Sequence, residues 1–335
     1  RCQHHTDTQL VPGGCADQPD PQPTRQPAHS VTAIAAGRYH TCGIRADSTA
    51  ECWGDNTYGQ ADAPAGAFTA IAAGGQHSCG IRADSTAECW GWNASGQADA
   101  PAGAFTAIAT GWSHTCGIRA DSTIECWGNN ASGKADAPAG AFTAIAAGRS
   151  HSCGIRADST AECWGNNASG KADAPAGAFT AIAAGRSHSC GIRADSTAEC
   201  WGNNASGKAD APAGAFTAIA AGRAHSCGIR ADSTAECWGW NAFGQGDAPA
   251  GAFTAIAAGG GHSCGIRADS TVECWGYNDW GQADAPEGAF TAIAASGGYS
   301  CGIRADSTAE CWDGWPTRPP PGISWISSWE YSRGA

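Results

Sequence analysis

Methionine is absent from all 335 positions, position 1 included, so Arg1 reads as a processed or trimmed start. No apolar run approaches the ~20 residues that a membrane-crossing helix needs, and no membrane span is expected. Positive charge is scarce: 19 lysines and arginines face 31 aspartates and glutamates, for a net charge of −12. With no basic patch or tail, that balance argues against nucleic acid as a partner. No phosphate loop or nucleophile–base pair stands out, so an enzyme is disfavoured and no cofactor is expected.

What is present is repetition. Residues 142–178 recur letter for letter as residues 179–215. The cysteines Cys42, Cys79, Cys116, Cys153, Cys190, Cys227, Cys264 and Cys301 follow one another at a constant 37 residues, so eight copies fill residues 31–312. A fixed period of this size marks a repeat architecture, and one large repeat domain is expected rather than two ordinary ones. Inside a copy the pattern is that of short strands. An apolar run from Val31 to Ile34 ends at Ala36-Gly37; His40, Cys42 and Ile44 alternate with Thr41, Gly43 and Arg45; Thr49 to Trp53 follow a polar turn. Three strands are expected, with a possible fourth over residues 60–64, where Pro64 restricts it to an edge. Short strands at constant spacing point to an all-β propeller or a solenoid.

The pattern AAGxxHxCGI…ECWGxNxxGQ resembles the repeat of the regulator of chromosome condensation family. The joint GQADAPAGAFTAIAAG is similar to that of the secreted bacterial β-lactamase inhibitor propellers of the same superfamily. The resemblance implies a propeller of seven or eight radially arranged blades, but not by itself a function. Two features depart from it: the family usually has seven repeats, and most members lack the regular cysteine pair.

Sixteen of the 18 cysteines fall in eight pairs of equal spacing. Folding the second and third strands into a hairpin that sets Cys42 opposite Cys52 places Ile44 opposite Ala50 and leaves Ala46-Asp47-Ser48 as the turn. Opposed residues of antiparallel strands lie within disulfide reach. The same geometry pairs Cys79 with Cys89, Cys116 with Cys126, Cys153 with Cys163, Cys190 with Cys200, Cys227 with Cys237, Cys264 with Cys274, and Cys301 with Cys311. Each bond closes a short loop, worth ~2–3 kcal/mol in the chain-entropy model, and persists in oxidising compartments, so a secreted or surface location is expected. The competing reading is zinc, since His40, Cys42 and Cys52 recur together. Structural zinc sites favour closely spaced knuckles and four ligands, and copy eight keeps its cysteines while Tyr299 replaces the histidine. The histidines then read as structural, hydrogen-bonding across the turn, with a ring of imidazoles around a channel as the alternative. On the other hairpin face, Arg45 and Glu51 are diagonal neighbours that can pair, and Trp53 is expected to pack on the next blade.

Copies differ in two places, the pair after Ala-Ala-Gly (Arg38-Tyr39, Gly75-Gln76, Trp112-Ser113, Arg149-Ser150) and the stretch after Trp-Gly. Strand direction puts both on one face. There Tyr39, Tyr58, Trp92 and Trp112 come from copies one to three, and Trp240, Phe243, Tyr277 and Trp280 from copies six and seven. Exposed aromatic clusters mark interaction sites, and these eight residues form the candidate binding face. The alternative is that they only cap the blade tops. Copies three to five carry Asn-Asn-Ala-Ser-Gly-Lys instead, with Arg149 and Arg186 nearby. Asn93, Asn130, Asn167 and Asn204 begin Asn-Ala-Ser sequons, which would put sugar on that sector if the source glycosylates its secreted proteins.

Residues 1–30 are polar and proline-rich and read as an irregular arm in which Cys2 pairs with Cys15. Residues 313–335 begin as a proline-stiffened linker and end in a segment, residues 323–328, that repeats the spacing of the first strand. Nine first strands for eight places leave one surplus, either closing the ring or joining a neighbouring molecule. The expected function is a secreted binding propeller whose partner is an extracellular protein or glycan, with an enzyme inhibitor or a subunit of a self-assembling filament as alternatives.

Overall fold

Each copy folds into one antiparallel three-stranded sheet. In the first, β1 (Val31–Ala36) pairs with β2 (His40–Arg45), which pairs with β3 (Ala50–Gly54). The computed structural model describes residues 30–312, and over these the sheet recurs eight times with no helix among the described residues. The expected three strands are therefore found in every copy, whereas residues 60–64 form turn and loop rather than a fourth strand.

The hairpin register is the expected one, with Cys42 opposite Cys52, Ile44 opposite Ala50 and Gly43 opposite Glu51. A short turn holds it. Ser48 takes a left-handed backbone (φ 68°), and Asp47 Oδ1 accepts hydrogen bonds from the Thr49 amide at 2.9 Å and hydroxyl at 2.6 Å. Those bonds hold the Asp47 carboxyl below the usual carboxylate range. All eight intra-repeat disulfides are formed. The Cys2–Cys15 pairing lies outside the described residues. Arg45 pairs with Glu51 at 2.7 Å, and its equivalents pair likewise in all eight blades.

Burial happens mostly between blades. Cys42 and Ile44 of blade one pack against Phe68 and Trp90 of blade two, and the Phe68 ring lies tilted against the Trp90 indole at a centroid distance of 5.8 Å. Each tryptophan thus leans on the preceding blade, opposite to the expected direction: Trp90 Nε1 donates to Gln60 O at 3.0 Å, and Trp53 Nε1 reaches back across the ring closure to Cys311 Sγ. The right-handed twist of each sheet sets which neighbour its outer strand meets, and a strand pattern read along one copy does not contain that choice.

Two further tiers of hydrogen bonds join the blades nearer the axis. Innermost, backbone amides reach the next blade's glycine carbonyl, as in Arg38 N to Gly74 O at 3.0 Å and Arg223 N to Gly259 O at 3.2 Å. The approach is close enough that a Cβ on Gly74 would lie 2.5 Å from Gly111 O, which explains the glycine ending each Ala-Ala-Gly run. Behind this tier stand the histidines, fully buried and outside the channel wall. His40 Nε2 bonds Ser78 Oγ of the next blade at 2.7 Å, and the same bond recurs for His77, His114, His151, His188, His225 and His262. They are structural as expected, but they bridge blades rather than their own turn, and they do not form the alternative channel ring.

The ring closes between blades eight and one without a missing member. Ser30 bridges Thr308, just as Ala67 bridges Thr49 within the ring, and Val31 N donates to Ser307 O at 2.6 Å. Tyr299 substitutes for the missing histidine, its hydroxyl lying against Thr41 Oγ1, Gly37 O and His40 O of blade one. All eight first-strand places are filled by residues 31–295. Where residues 323–328 go lies outside the described part of the chain.

Candidate functional site: the variable face and the channel mouth

The loops that differ between copies meet the channel at one end of the ring. The lining there is Ala-Gly (Thr-Gly in blade three, Ala-Ser in blade eight) plus the next residue from each blade, enclosing a cavity of about 460 Å³. Around the mouth that next residue runs Arg38, Gly75, Trp112, Arg149, Arg186, Arg223, Gly260 and Gly297. The second variable stretch forms a tight loop over each blade. Asn56 is its keystone, donating from Nδ2 to Asp62 Oδ1 and accepting from the Ala61 amide. Asn93, Asn130, Asn167 and Asn204 do the same work in their blades, as do Asn241 and Asn278, which begin no sequon. The sequon asparagine is thus a loop residue first.

The eight aromatic residues fall into three groups. Trp240, Phe243, Tyr277 and Trp280 form a continuous chain, with successive centroids 4.9, 4.7 and 5.5 Å apart, and Trp280 lies over Gly298 of blade eight. Tyr58 and Trp92 meet edge to face at 4.2 Å across blades one and two. Trp112 is drawn to the channel mouth, where Arg38 and Arg149 lie over its indole at 4.1 and 4.5 Å, and Arg38 also covers Tyr39 at 4.5 Å. Tyr58, Trp240, Phe243 and Trp280 remain 36–47% exposed.

Charge divides the same face. Gln60, Gln97, Gln245 and Gln282 fill one buried loop position in the aromatic blades, and in blades three to five it is taken by Lys134, Lys171 and Lys208. Each lysine Nζ is held by an asparagine Oδ1, and burial lowers its pKa. Next to them Arg149, Arg186 and Arg223 line the mouth in consecutive blades. Sequence reading registered Arg38, Arg149 and Arg186 as variable positions and passed over Arg223. No basic run exists because the four are brought together only by the ring. A signal was available: every scaffold arginine has a glutamate six residues on, and these four have none.

Among the described residues no group of histidine, cysteine and acidic side chains is placed to hold a metal ion.

An eight-bladed ring of three-stranded sheets with chemically distinct loops on one face defines a tandem-repeat β-propeller. The model of the regulator of chromosome condensation (RCC1) repeat matches seven of the copies, residues 31–60, 68–97, 105–134, 142–171, 179–208, 216–245 and 253–282, and the chain belongs to that family. The eighth copy, with Tyr299 for histidine, completes the ring outside the matched segments. Similar solved structures include the ectodomain of the receptor kinase CR4 of Physcomitrella patens, 26% identical, with a TM-score of 0.59 over 88% of this chain and 77% of that one. The ectodomain of the Arabidopsis thaliana receptor kinase ACR4 is 24% identical, with a TM-score of 0.58 over 86% of this chain and 100% of that one. Prp20p of Saccharomyces cerevisiae, which has binding properties toward Gsp1p and histones, is 16% identical, with a TM-score of 0.56 over 83% and 84%. No curated protein matches the sequence.

Proposed function

We propose that the protein is a secreted, non-enzymatic binding propeller that holds an extracellular protein or glycan against the aromatic part of its variable face. The observation that carries this reading is the four-ring chain of Trp240, Phe243, Tyr277 and Trp280, three of them exposed and Tyr277 half-buried, spanning blades six and seven and reaching blade eight. Rigid aromatic rings give large contact area at small entropic cost and are typical anchors of binding surfaces. Eight disulfides in one ring, together with similarity to the CR4 ectodomain, support an extracellular setting. The invariant arginine, aspartate and glutamate side chains are consumed by the scaffold, which supports binding rather than catalysis. The double variant Trp240→Ala/Trp280→Ala tests it, with glycan arrays and extracellular protein fractions as sources of partner. Capture should fall at least 100-fold while the melting temperature stays unchanged. Full capture by a folded double variant would refute the assignment.

A further inference from the structure

Twelve arginines lie among the described residues, and they divide without exception into two sets. Eight are paired with a glutamate of their own hairpin, and seven of these lie over a phenylalanine. The other four, Arg38, Arg149, Arg186 and Arg223, form no ion pair among the described residues, and all four line the channel mouth. Arg38 and Arg149 rest on Trp112; Arg186 and Arg223 have no side-chain partner among the described residues. Partial burial and the fields of Arg149, Arg223 and Arg38 lower the pKa of Arg186, so these guanidiniums feel one another across the opening. Concentrating like charge is unfavourable, and in a chain of net charge −12 it is not a by-product of composition.

We propose that these four arginines form a receptor for a small multivalent oxyanion, a polyphosphate, sulfate ester or polycarboxylate group seated in the channel mouth. Guanidinium forks match planar or tetrahedral oxyanions through paired N–H donors, and a concave site focuses their field. The backbone amides of Arg38, Arg149, Arg186 and Arg223 are themselves spent on the inter-blade tier, so their side chains supply the donors. A cavity of about 460 Å³ admits a ligand of small-metabolite size. Trp112 is a built-in reporter, because an anion that draws Arg38 and Arg149 away alters the surroundings of its indole. The site is separate from the aromatic chain, and Trp240→Ala/Trp280→Ala leaves it intact.

Tripolyphosphate, citrate and a disaccharide disulfate, titrated into the disulfide-intact full chain at low ionic strength, separate the three oxyanion chemistries. Saturable one-to-one binding of at least one probe is expected, weakening as salt rises and accompanied by a fluorescence change that Trp112→Phe abolishes. Arg149→Ala/Arg186→Ala/Arg223→Ala should weaken it at least 100-fold. The corresponding triple lysine variant, which keeps charge but loses the fork, should weaken it about 10-fold and serves alone if the alanine variant does not fold. Absence of binding by all three probes at millimolar concentration overturns the proposal. So does unchanged affinity in the folded alanine variant, or in the lysine variant where only that one folds.

Discussion

Protonation of the seven buried histidines should dismantle the ring in mild acid. The tautomer follows from the neighbours: Ser78 has one hydroxyl proton and gives it to Gln60 O, so His40 must donate from Nε2. Nδ1 is left facing Gly37 without a hydrogen-bond partner, and the same holds for all seven imidazoles. A second proton would place a charge where nothing accepts it. Burial accordingly lowers the pKa from 6.5 to about 4 for His40, His151, His225 and His262 and to about 3 for His77, His114 and His188. The unfolded chain therefore binds more protons than the folded one below pH 6.5. Stability is fully present above that value and falls with pH until the folded-state pKa is reached. At pH 5 the cost is about 2 kcal/mol per histidine, about 14 kcal/mol for seven, which rivals the ~5–15 kcal/mol that holds an ordinary domain together. The turn aspartates do not confuse the result. Their carboxyls are also lowered, by hydrogen bonds from threonine, but that contribution is lost only below the unfolded carboxylate value of about 4. Denaturant midpoints read by tryptophan fluorescence at pH 7.5, 6 and 5, without reductant, should drop at each step. His151→Gln, which keeps an N–H for Ser189, should lower the proton uptake on unfolding by about one. Equal midpoints at pH 7.5 and 5 would refute the burial argument.

Tyr299→Phe removes the hydroxyl that meets Thr41, Gly37 and His40, and should cost ~1–3 kcal/mol by leaving buried partners unmatched, with amide exchange rising first in blades eight and one. Cys190→Ala/Cys200→Ala opens a hairpin of sequence separation 10 and should cost ~2–3 kcal/mol, read as a lower denaturant midpoint, while peptide mapping without reductant finds the other seven bonds unshuffled.

Much of what one copy contains was readable from one copy, although the fourth strand allowed for over residues 60–64 is turn and loop. Alternation placed Cys42 opposite Cys52 and Arg45 near Glu51, and the structure has both. What one copy does not contain is its neighbour. Trp53 was expected on the following blade and His40 across its own turn, yet the first leans back on Cys311 and the second reaches forward to Ser78. Those directions depend on sheet twist and on the angle between blades, neither of which leaves a trace in local periodicity. The arginine mouth was hidden for a related reason. Arg149, Arg186 and Arg223 stand 37 residues apart, so no window along the chain ever holds two of them, and only closure of the ring assembles a charged surface.

Because each joint between blades is built from much the same few contacts, the scaffold places little restriction on which blade stands beside which. A blade bearing Trp240 and Phe243 and one bearing Arg186 present the same cysteine, isoleucine, phenylalanine and tryptophan to their neighbours. Duplication, loss or reshuffling of whole 37-residue cassettes can therefore rewrite the outer face while the interior stays in register. Two adjacent cassettes identical in every letter, residues 142–178 and 179–215, record one such copying event, and the order of cassettes becomes a heritable text in its own right.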